Sequence, residues 1–257
     1  MIIRERMREL LSEREPRHQF YMLNPNGDED VNEMPPPLDL SHRDQQLEER
    51  PEEHFLANKS LYVGQWLGSY KHGYGVHIWA DKTKYEGNWK YSKAEGHGKF
   101  SFKDGDTVEG EWVNSMLNGH AVYVHANGDK YEGQWKDDLQ HGKGKETWMD
   151  GSSYEGDYYL GKKHGKGKYI WSDGSSYEGD WVHNTIEGYG INRWKDGRSY
   201  VGNWWNNQMH GHGTYTWADG RRYNGFYERD LRHGYGIFQW ADGRIYDGFW
   251  YEGKQHG

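Results

Sequence analysis

The sequence predicts an all-β fold, an elongated single-layer antiparallel meander of β-hairpins with a short N-terminal helix and an extended arm before it. A unit of 23 residues recurs without insertion from Tyr62 to the end of the chain, which indicates a repeat architecture. Within each unit, glycine and aromatic residues alternate at a spacing of two, as strands require. Asp-Gly or Asn-Gly follows the second such run in all complete units but one, and this dipeptide is a strong hairpin signal.

The repeat is defined by columns of glycine and aromatic residues, and we number the repeats 1 to 9 from Tyr62. Position 1 is tyrosine except at Val108, and positions 3 and 12 are always glycine. Position 5 is always Trp or Tyr, position 14 is glycine except at Ala121, and position 18 is Trp in most repeats. Only Trp205 of the 14 tryptophans lies outside positions 5 and 18. The repeat therefore determines the aromatic content of the chain.

The columns also predict a register. A three-residue loop at positions 19–21, with glycine in the left-handed conformation, sets position 16 opposite position 1 of the next repeat and position 14 opposite position 3. Glycine then faces glycine, and all rings share one face of the sheet. Positions 6–12, which end in His-Gly in most repeats, are predicted to form a longer and looser polar turn.

Composition restricts the class of protein. Only 33% of the 257 residues are hydrophobic and mean hydropathy is −1.21, values that alone predict disorder. Aromatic residues make up 16% of the chain, so we expect an aromatic core. The absence of cysteine excludes disulfides, thiolate metal sites and cysteine nucleophiles. No apolar run is long enough to span a membrane and no signal peptide is present, so we expect a cytoplasmic protein.

The net charge of −8 is unevenly distributed. Residues 1–60 carry a net charge of −6 and the remaining residues only −2. A nearly neutral repeat array gives no reason to expect nucleic-acid binding. We divide the chain into an amphipathic helix at residues 1–16, an acidic, proline-containing arm or linker at 17–61, and a repeat array at 62–257 with eight complete repeats and a partial ninth.

The first segment is predicted to be a docking helix with one apolar face, although a frayed terminus is the alternative. The apolar face consists of Ile3, Met7, Leu10 and Leu11. The arm contains three prolines at residues 35–37 and no periodic apolar face, which favours a solvated linker. A short helix around residues 41–50 is the alternative for its last part.

The consensus of the columns, YxGxWxxxxxHGxGxxxWxDGxx, resembles the MORN ("membrane occupation and recognition nexus") repeat, and residues 131–153 and 154–176 follow it almost position for position. The resemblance implies an elongated single-layer sheet of hairpins. It also implies scaffolding, because MORN arrays occur in junctophilins, apicomplexan cytoskeletal proteins, radial-spoke and sperm-flagellar proteins, and ahead of lipid-kinase or SET domains. Val108, Ala121, His125 and Lys82 depart from the consensus, so we expect slight local distortion in repeats 1 to 3.

No catalytic site, cofactor or metal site is predicted. The aspartate of the Asp-Gly turns recurs too regularly to be a single acid or base, and its role in the turn accounts for it. The GxG pairs precede strands rather than helices and so fail as phosphate-binding loops. Histidines at position 11 recur two strands apart, roughly 9–10 Å, which is too far for two of them to bind one ion. We therefore expect them to be packing or turn residues.

Two surfaces are predicted to bind partners. The first is a protein-binding aromatic face, since a single-layer sheet has no second layer to cover its rings; the alternative is that the rings mainly stack on one another. Its residues are Tyr62, Trp66, Trp79, Tyr85, Trp89, Trp112, Tyr131, Trp135, Trp148, Tyr154, Trp171, Tyr177, Trp181, Trp194, Tyr200, Trp204, Trp217, Tyr223, Trp240, Tyr246 and Trp250. The second is a weaker candidate patch for anionic lipid, formed by Lys143, Lys145, Lys162, Lys163, Lys166 and Lys168.

The leading functional hypothesis is a non-enzymatic structural scaffold that binds other proteins of a large cytoskeletal assembly. The resemblance favours the ciliary or flagellar axoneme, as a radial-spoke or central-apparatus component, because this array has no attached catalytic domain. Homodimers through end strands are a further expectation. One alternative is a phosphoinositide-recognition or membrane-tethering module. Another is the targeting segment of a longer lipid-kinase or methyltransferase chain.

Overall fold

The computed structural model describes residues 46–55 and 59–257, and the side chains of residues 46–50 and 59–257. Strands, turns and bends make up these residues, and none of them is helical. No helix long and apolar enough to span a membrane occurs in this part of the chain. The predicted docking helix, with Ile3, Met7, Leu10 and Leu11, and the first part of the arm lie outside the described residues.

The described residues contain nineteen strands. They are β1 (Glu48–Phe55), β2 (Ser60–Leu67), β3 (Tyr70–Ile78), β4 (Lys84–Lys90), β5 (Lys93–Ser101), β6 (Thr107–Val113), β7 (Met116–Val124), β8 (Lys130–Lys136), β9 (Leu139–Thr147), β10 (Ser153–Tyr159), β11 (Lys162–Ile170), β12 (Ser176–Val182), β13 (Thr185–Arg193), β14 (Ser199–Trp205), β15 (Gln208–Thr216), β16 (Arg222–Glu228), β17 (Leu231–Gln239), β18 (Ile245–Tyr251) and β19 (Lys254–His256).

These strands belong to two units. The N-terminal unit comprises the described residues up to 103 together with 112–116, and the C-terminal unit comprises 104–111 and 117–257. In the N-terminal unit, β1 to β5 pair in chain order as an antiparallel meander. In the C-terminal unit, β8 to β19 do the same. The predicted all-β antiparallel meander of hairpins is therefore confirmed.

The predicted register is also confirmed. Gly167 (position 14) pairs with Gly179 (position 3 of the next repeat), and Tyr169 (position 16) pairs with Tyr177 (position 1). The loop between β11 and β12 is closed by hydrogen bonds from Trp171 N to Ser175 O (2.9 Å) and from Gly174 N to Trp171 O (2.9 Å). Gly174, at position 21, has φ +88°, the left-handed conformation that this loop requires.

The longer, looser turn predicted for positions 6–12 is wrong, because the chain reverses in only two residues there. In repeat 6 these are His183 (φ 49°) and Asn184 (φ 73°), at positions 7 and 8, between β12 and β13. Positive φ at both residues is the type I′ geometry, whose twist matches that of the flanking strands. The remaining length is absorbed by a bulge at positions 11–13 of the second strand, where Gly188 has φ +108°.

Each position-1 tyrosine lies across the glycine row and fixes it. A Cβ added to Gly190 would lie 2.3 Å from the Tyr177 hydroxyl oxygen, and one added to Gly179 would lie 2.5 Å from Gly190 Cα. The Tyr177 hydroxyl donates to the backbone carbonyl of Asp180 (3.0 Å). Trp181 packs edge-on against the Tyr177 ring at 5.4 Å and donates from Nε1 to Gly167 O (3.2 Å). The core is therefore made of rings over bare backbone.

The departures in repeat 3 occur together. Val108 replaces the tyrosine at position 1, and Ala121 replaces the glycine at position 14. In repeats 4 to 8, the ring of the position-1 tyrosine occupies the space that a Cβ at position 14 would need. The smaller Val108 removes that ring, so that the methyl group of Ala121 can be accommodated. Both residues are fully buried.

Strand β1 lies within the stretch predicted as an arm. Glu48 pairs with Trp66 and Phe55 with Ser60, with a register shift between Arg50 and Glu53. A helix around residues 41–50 is thus wrong for residues 48–50, which are extended. The cause is the free backbone of β2, which offers β1 a row of hydrogen-bonding groups.

Candidate functional site

The predicted aromatic face is mostly filled by its own rings. The position-1 tyrosines are fully buried except for Tyr246, and the position-5 rings are buried throughout the described repeats. In the C-terminal unit the rings of Tyr154, Trp181, Tyr177, Trp204 and Tyr200 touch in sequence, edge to face, at 5.1–5.5 Å. We call this surface the ring face. Of the predicted face, the position-18 tryptophans from Trp148 onward and Tyr246 are half-exposed, so they are the part of it that a partner can touch.

The opposite face of the C-terminal unit carries a broad groove, which we call the glycine groove. Its volume is 1010 Å³, and its floor is the glycine backbone of positions 3 and 14 in β8 to β13. The walls are side chains at positions 2, 4, 13 and 15. They are His120, Glu132, Gln134, Lys143, Lys145, Glu155, Lys166, Lys168, Glu178, Tyr189 and Ile191.

One wall of the glycine groove is a ladder of alternating charge. Glu132 pairs in register with Lys145, Lys145 with Glu155, Glu155 with Lys168, and Lys168 with Glu178. Opposite charges directly across neighbouring strands stabilise a sheet modestly. The Lys145 ammonium lies 3.5 Å from the Glu155 carboxylate, and both side chains are exposed, so this pair contributes little to stability.

The other wall is built around the bulge. Asp157 accepts a hydrogen bond from the backbone N of Lys166 (3.0 Å) and forms an ion pair with Lys143 Nζ (2.7 Å). Asp180 likewise accepts a hydrogen bond from Tyr189 N (2.8 Å) and forms an ion pair with Lys166 Nζ (2.6 Å). Burial opposes ionisation of both carboxyls, but the lysine and backbone N–H donors outweigh it and lower the pKa of each. Position 4 thus satisfies the bulged backbone.

The lysines of the predicted lipid patch do not form one cationic surface. Lys143, Lys145 and Lys166 face the glycine groove, each beside a carboxylate, and Lys168 stands between Glu155 and Glu178. Lys162 is exposed at the start of β11. Lys163 lies on the ring face, with Nζ 3.0 Å from Glu146 and 5.0 Å from the Trp148 ring centroid.

The position-11 histidines lie in strands and pack against rings of their own repeat or of the next one. His164 contacts Tyr159 (5.7 Å) and His183 (5.1 Å between ring centroids). Its Nδ1 is buried without a hydrogen-bond partner, as are those of His72, His141 and His210. Across the residues that the structure describes, no group of three or more metal-ligating side chains is found.

Sequence reasoning missed the glycine groove and the staple at position 8. Asn184 Oδ1 accepts from Lys163 N (2.8 Å) in the previous repeat, and Asn184 N donates to Lys163 O (2.9 Å). Asp230 makes the same pair of bonds with Met209. Position 8 from repeat 2 onward is always Ser, Asp, Asn or Gly, which was the available signal. Positions 4, 13 and 15 of the groove vary between repeats, and the recurring Glu at position 2 of repeats 2 to 6 was its only periodic signal.

Comparison with known proteins adds the following. The sequence profile of the MORN repeat matches residues 62–84, 85–107, 109–130, 131–153, 154–176, 177–197, 200–221, 223–243 and 246–257. No curated protein sequence matches the chain.

Among solved structures, the chain is similar to the TCP domain of SAS-4 (dCPAP) of Drosophila melanogaster, solved in complex with a proline-rich motif of Ana2 (dSTIL). Identity is 13%, coverage is 59% of this chain and 83% of that one, and the TM-score is 0.36. The TCP10 domain of Danio rerio CPAP gives 13% identity, 78% and 91% coverage, and a TM-score of 0.30. A virginiamycin B lyase of Staphylococcus aureus has 11% identity, with coverage of 79% of this chain and 73% of that one and a TM-score of 0.16. At these scores, nothing about function follows.

Proposed function

Because the chain belongs to the MORN-repeat family, we propose that it is a non-enzymatic scaffold that holds other proteins in a cytoskeletal assembly. The observation that carries this proposal is the glycine groove. Positions 1, 3, 5, 12 and 14 are nearly constant and build the fold. Of the groove columns, position 2 is Glu in repeats 2 to 6, whereas positions 4, 13 and 15 differ along the array. A surface that varies along a regular support is suited to recognising an extended partner.

The chemistry of the groove also favours a protein partner. Its charged ladder from Glu132 to Glu178 gives way to Tyr189 and Ile191. Further along the same face, Phe226, Tyr235 and Phe249 are 51%, 48% and 61% exposed. Aromatic side chains beside charges of both signs are typical of protein interfaces. A membrane surface would instead select an excess of positive charge.

We further propose that the assembly is the ciliary or flagellar axoneme, in a radial spoke or the central apparatus. Its support is the resemblance of the repeats to the MORN arrays of radial-spoke and sperm-flagellar proteins. The protein then belongs to the cytoskeleton, and its partners are axonemal proteins. Tagged protein in ciliated cells is expected to stay with axonemes after detergent extraction, and its loss with the membrane fraction would contradict this location.

Affinity purification after in-cell crosslinking tests the scaffold itself. We expect recovered proteins to crosslink to Lys143, Lys145 and Lys168 in the groove. The variant Gly144→Arg/Gly167→Arg would also disturb the core, so the matched test is Glu155→Arg/Tyr189→Glu, which changes only exposed groove side chains. We expect this variant to lose most of the recovered protein. The control variant Arg221→Gln, whose side chain lies over Trp217 on the ring face, should keep it. Equal recovery by both variants would contradict the groove as the binding surface.

A further inference from the structure

A second concavity, of 570 Å³, opens on the ring face across repeats 5 to 8 of the C-terminal unit. Its aromatic walls include Trp171, Trp181, Trp194 and Trp204, and Met209 also lines it. We call it the Asn192 cleft after the residue at its centre. It is separate from the glycine groove, which lies on the opposite face.

Asn192 lines the cleft at position 16, where most repeats have a ring. In repeat 7 the same position is Tyr215, whose ring contacts Trp194 (5.3 Å) and Trp217 (4.5 Å). A ring at position 192 would fill the corresponding space between Trp171 and Trp194. Asparagine is too short to do so, and the space between the two indoles is left open as the cleft.

Another interruption of this row, in repeat 4, is filled by a cation of the chain itself. Glu146 occupies position 16, and Lys163, from position 10 of the next repeat, enters the gap. Its Nζ lies 3.0 Å from the Glu146 carboxylate and 5.0 and 5.1 Å from the ring centroids of Trp148 and Tyr154. The residue equivalent to Lys163 at the Asn192 cleft is Met209, which carries no charge.

The chain also stacks guanidinium groups on position-18 indoles. Arg198, Arg221 and Arg244, at position 22, each place Cζ 5.4 Å from the ring centroid of the tryptophan in their own repeat. Trp171 has Ser175 at that position. Within the described part of the chain, no cation lies over the Trp171 ring.

The polar groups of the cleft complement a cation. Asn192 is 6% exposed, and its side chain makes no hydrogen bond within the described residues although it lines the cleft. Asp173 and Asp230 line it too, and the lining contains no lysine, arginine or histidine. Aromatic faces, carboxylates and an amide that opens into the cleft together favour a positively charged, hydrogen-bonding group.

We propose that the Asn192 cleft binds an arginine side chain of a partner protein. A guanidinium is planar, stacks on indole and donates several hydrogen bonds in fixed directions, whereas an ammonium is a compact, strongly hydrated charge. The arginine enters between Trp171 and Trp194, where the ring is missing. It stacks on Trp171, because Trp194 already carries Arg198, and donates to the Asn192 amide oxygen. This inference rests on the proposed scaffold function, because a bound protein supplies the arginine.

The direct test uses three short peptides that differ only in a central arginine, lysine or citrulline. Binding to the full chain is followed by calorimetry and by NMR of the indole N–H groups. We expect the arginine peptide to bind about tenfold more tightly than the citrulline peptide, and to shift the Trp171 and Trp194 signals. Equal affinity for arginine and citrulline, or for arginine and lysine, would overturn the assignment.

Two variants close the cleft with residues that the array already uses at the equivalent positions. Asn192→Tyr supplies the missing ring, as in Tyr215, and Met209→Lys supplies an internal cation, as in Lys163. Both are expected to keep the native circular dichroism and to weaken arginine-peptide binding about tenfold or more. Lys254→Gln, at an exposed position of β19 outside both the glycine groove and the cleft, is the matched control and should bind as the wild type does. Unchanged binding by both cleft variants would refute the proposal.

Failure of this inference is distinguishable from failure of the scaffold function. If Asn192→Tyr recovers the same crosslinked proteins as the wild type and arginine peptides do not bind, the cleft assignment falls while the scaffold stands. If arginine peptides bind selectively but no protein is recovered, the cleft assignment stands and the scaffold proposal falls.

Discussion

At the scale of single residues, the fold depends on an exact fit between a tyrosine ring and two glycines. Tyr177 is fully buried, covers Gly190 and is held by the bond from its hydroxyl to Asp180 O. Neither glycine at positions 3 and 14 of this repeat has a positive φ. They are therefore required for space and not for backbone conformation. Repeat 3, with Val108 and Ala121, shows the alternative solution within the same chain.

This fit predicts that the effects of Gly190→Ala and Tyr177→Val are strongly coupled. Alone, Gly190→Ala should destabilise the protein by about 2–3 kcal/mol, because the new Cβ overlaps the tyrosine ring. In the Tyr177→Val background, which imitates repeat 3, the same change should cost less than about 1 kcal/mol. Urea denaturation followed by tryptophan fluorescence measures all three variants. Additive effects would show that the ring does not exclude the methyl group.

At the scale of the hairpin, the sequence predicted one turn and not the other. The loop at positions 19–21 was predicted because Asp-Gly is typical of tight hairpin turns. Pairing the glycines of positions 3 and 14 then predicted the register. The turn at positions 7–8 was missed because its residues differ between repeats, as His183 and Asn184 and as Leu160 and Gly161 show. The conspicuous His-Gly pair marks the bulge beyond it. Strand β1 was missed because its sequence has no alternating apolar face and it depends on pairing with β2.

The staple at position 8 gives a prediction for this turn. Asn184→Gly should lose only the bond from Lys163 N to the side chain, at a cost of about 1 kcal/mol, because Gly161 occupies this position in repeat 5. Asn184→Ala should cost about 1 kcal/mol more, since φ is +73° there and alanine is strained in the left-handed region. Thermal and urea denaturation of the two variants side by side measure the difference. Alanine destabilising no more than glycine would exclude this backbone contribution.

At the scale of the whole molecule, constant columns and variable columns have separate tasks. The constant ones build the ring face and could be read from the sequence because they recur. The variable ones form the glycine groove and the Asn192 cleft, and these became visible only once the register placed them side by side. In the sequence, Asn192 stands out only because it is a non-aromatic residue at position 16, where most repeats have an aromatic ring. On the proposed function, recognition by this protein would therefore be encoded in departures from its own repeat.

The same arrangement decides how the molecule meets a lipid surface. The chain carries a net charge of −8, and Lys143 and Lys166 are paired with Asp157 and Asp180. Vesicles of phosphatidylcholine with a phosphoinositide should therefore not carry the wild type upward in flotation at physiological salt. The variant Asp157→Asn/Asp180→Asn releases both lysines and should gain salt-sensitive binding, which checks that the assay detects it.

Salt-sensitive flotation of the wild type, lost in Lys143→Gln/Lys166→Gln, would reverse the order of the two functional hypotheses. The two lysines would then exchange their carboxylate partners for lipid phosphates. That exchange is opposed here because each carboxylate is held by a backbone N–H as well as by its lysine, so releasing the lysine leaves the aspartate ionised in the same wall. The remaining negative charge would repel the phosphate that replaced it, which is why we expect proteins rather than membranes to occupy the groove.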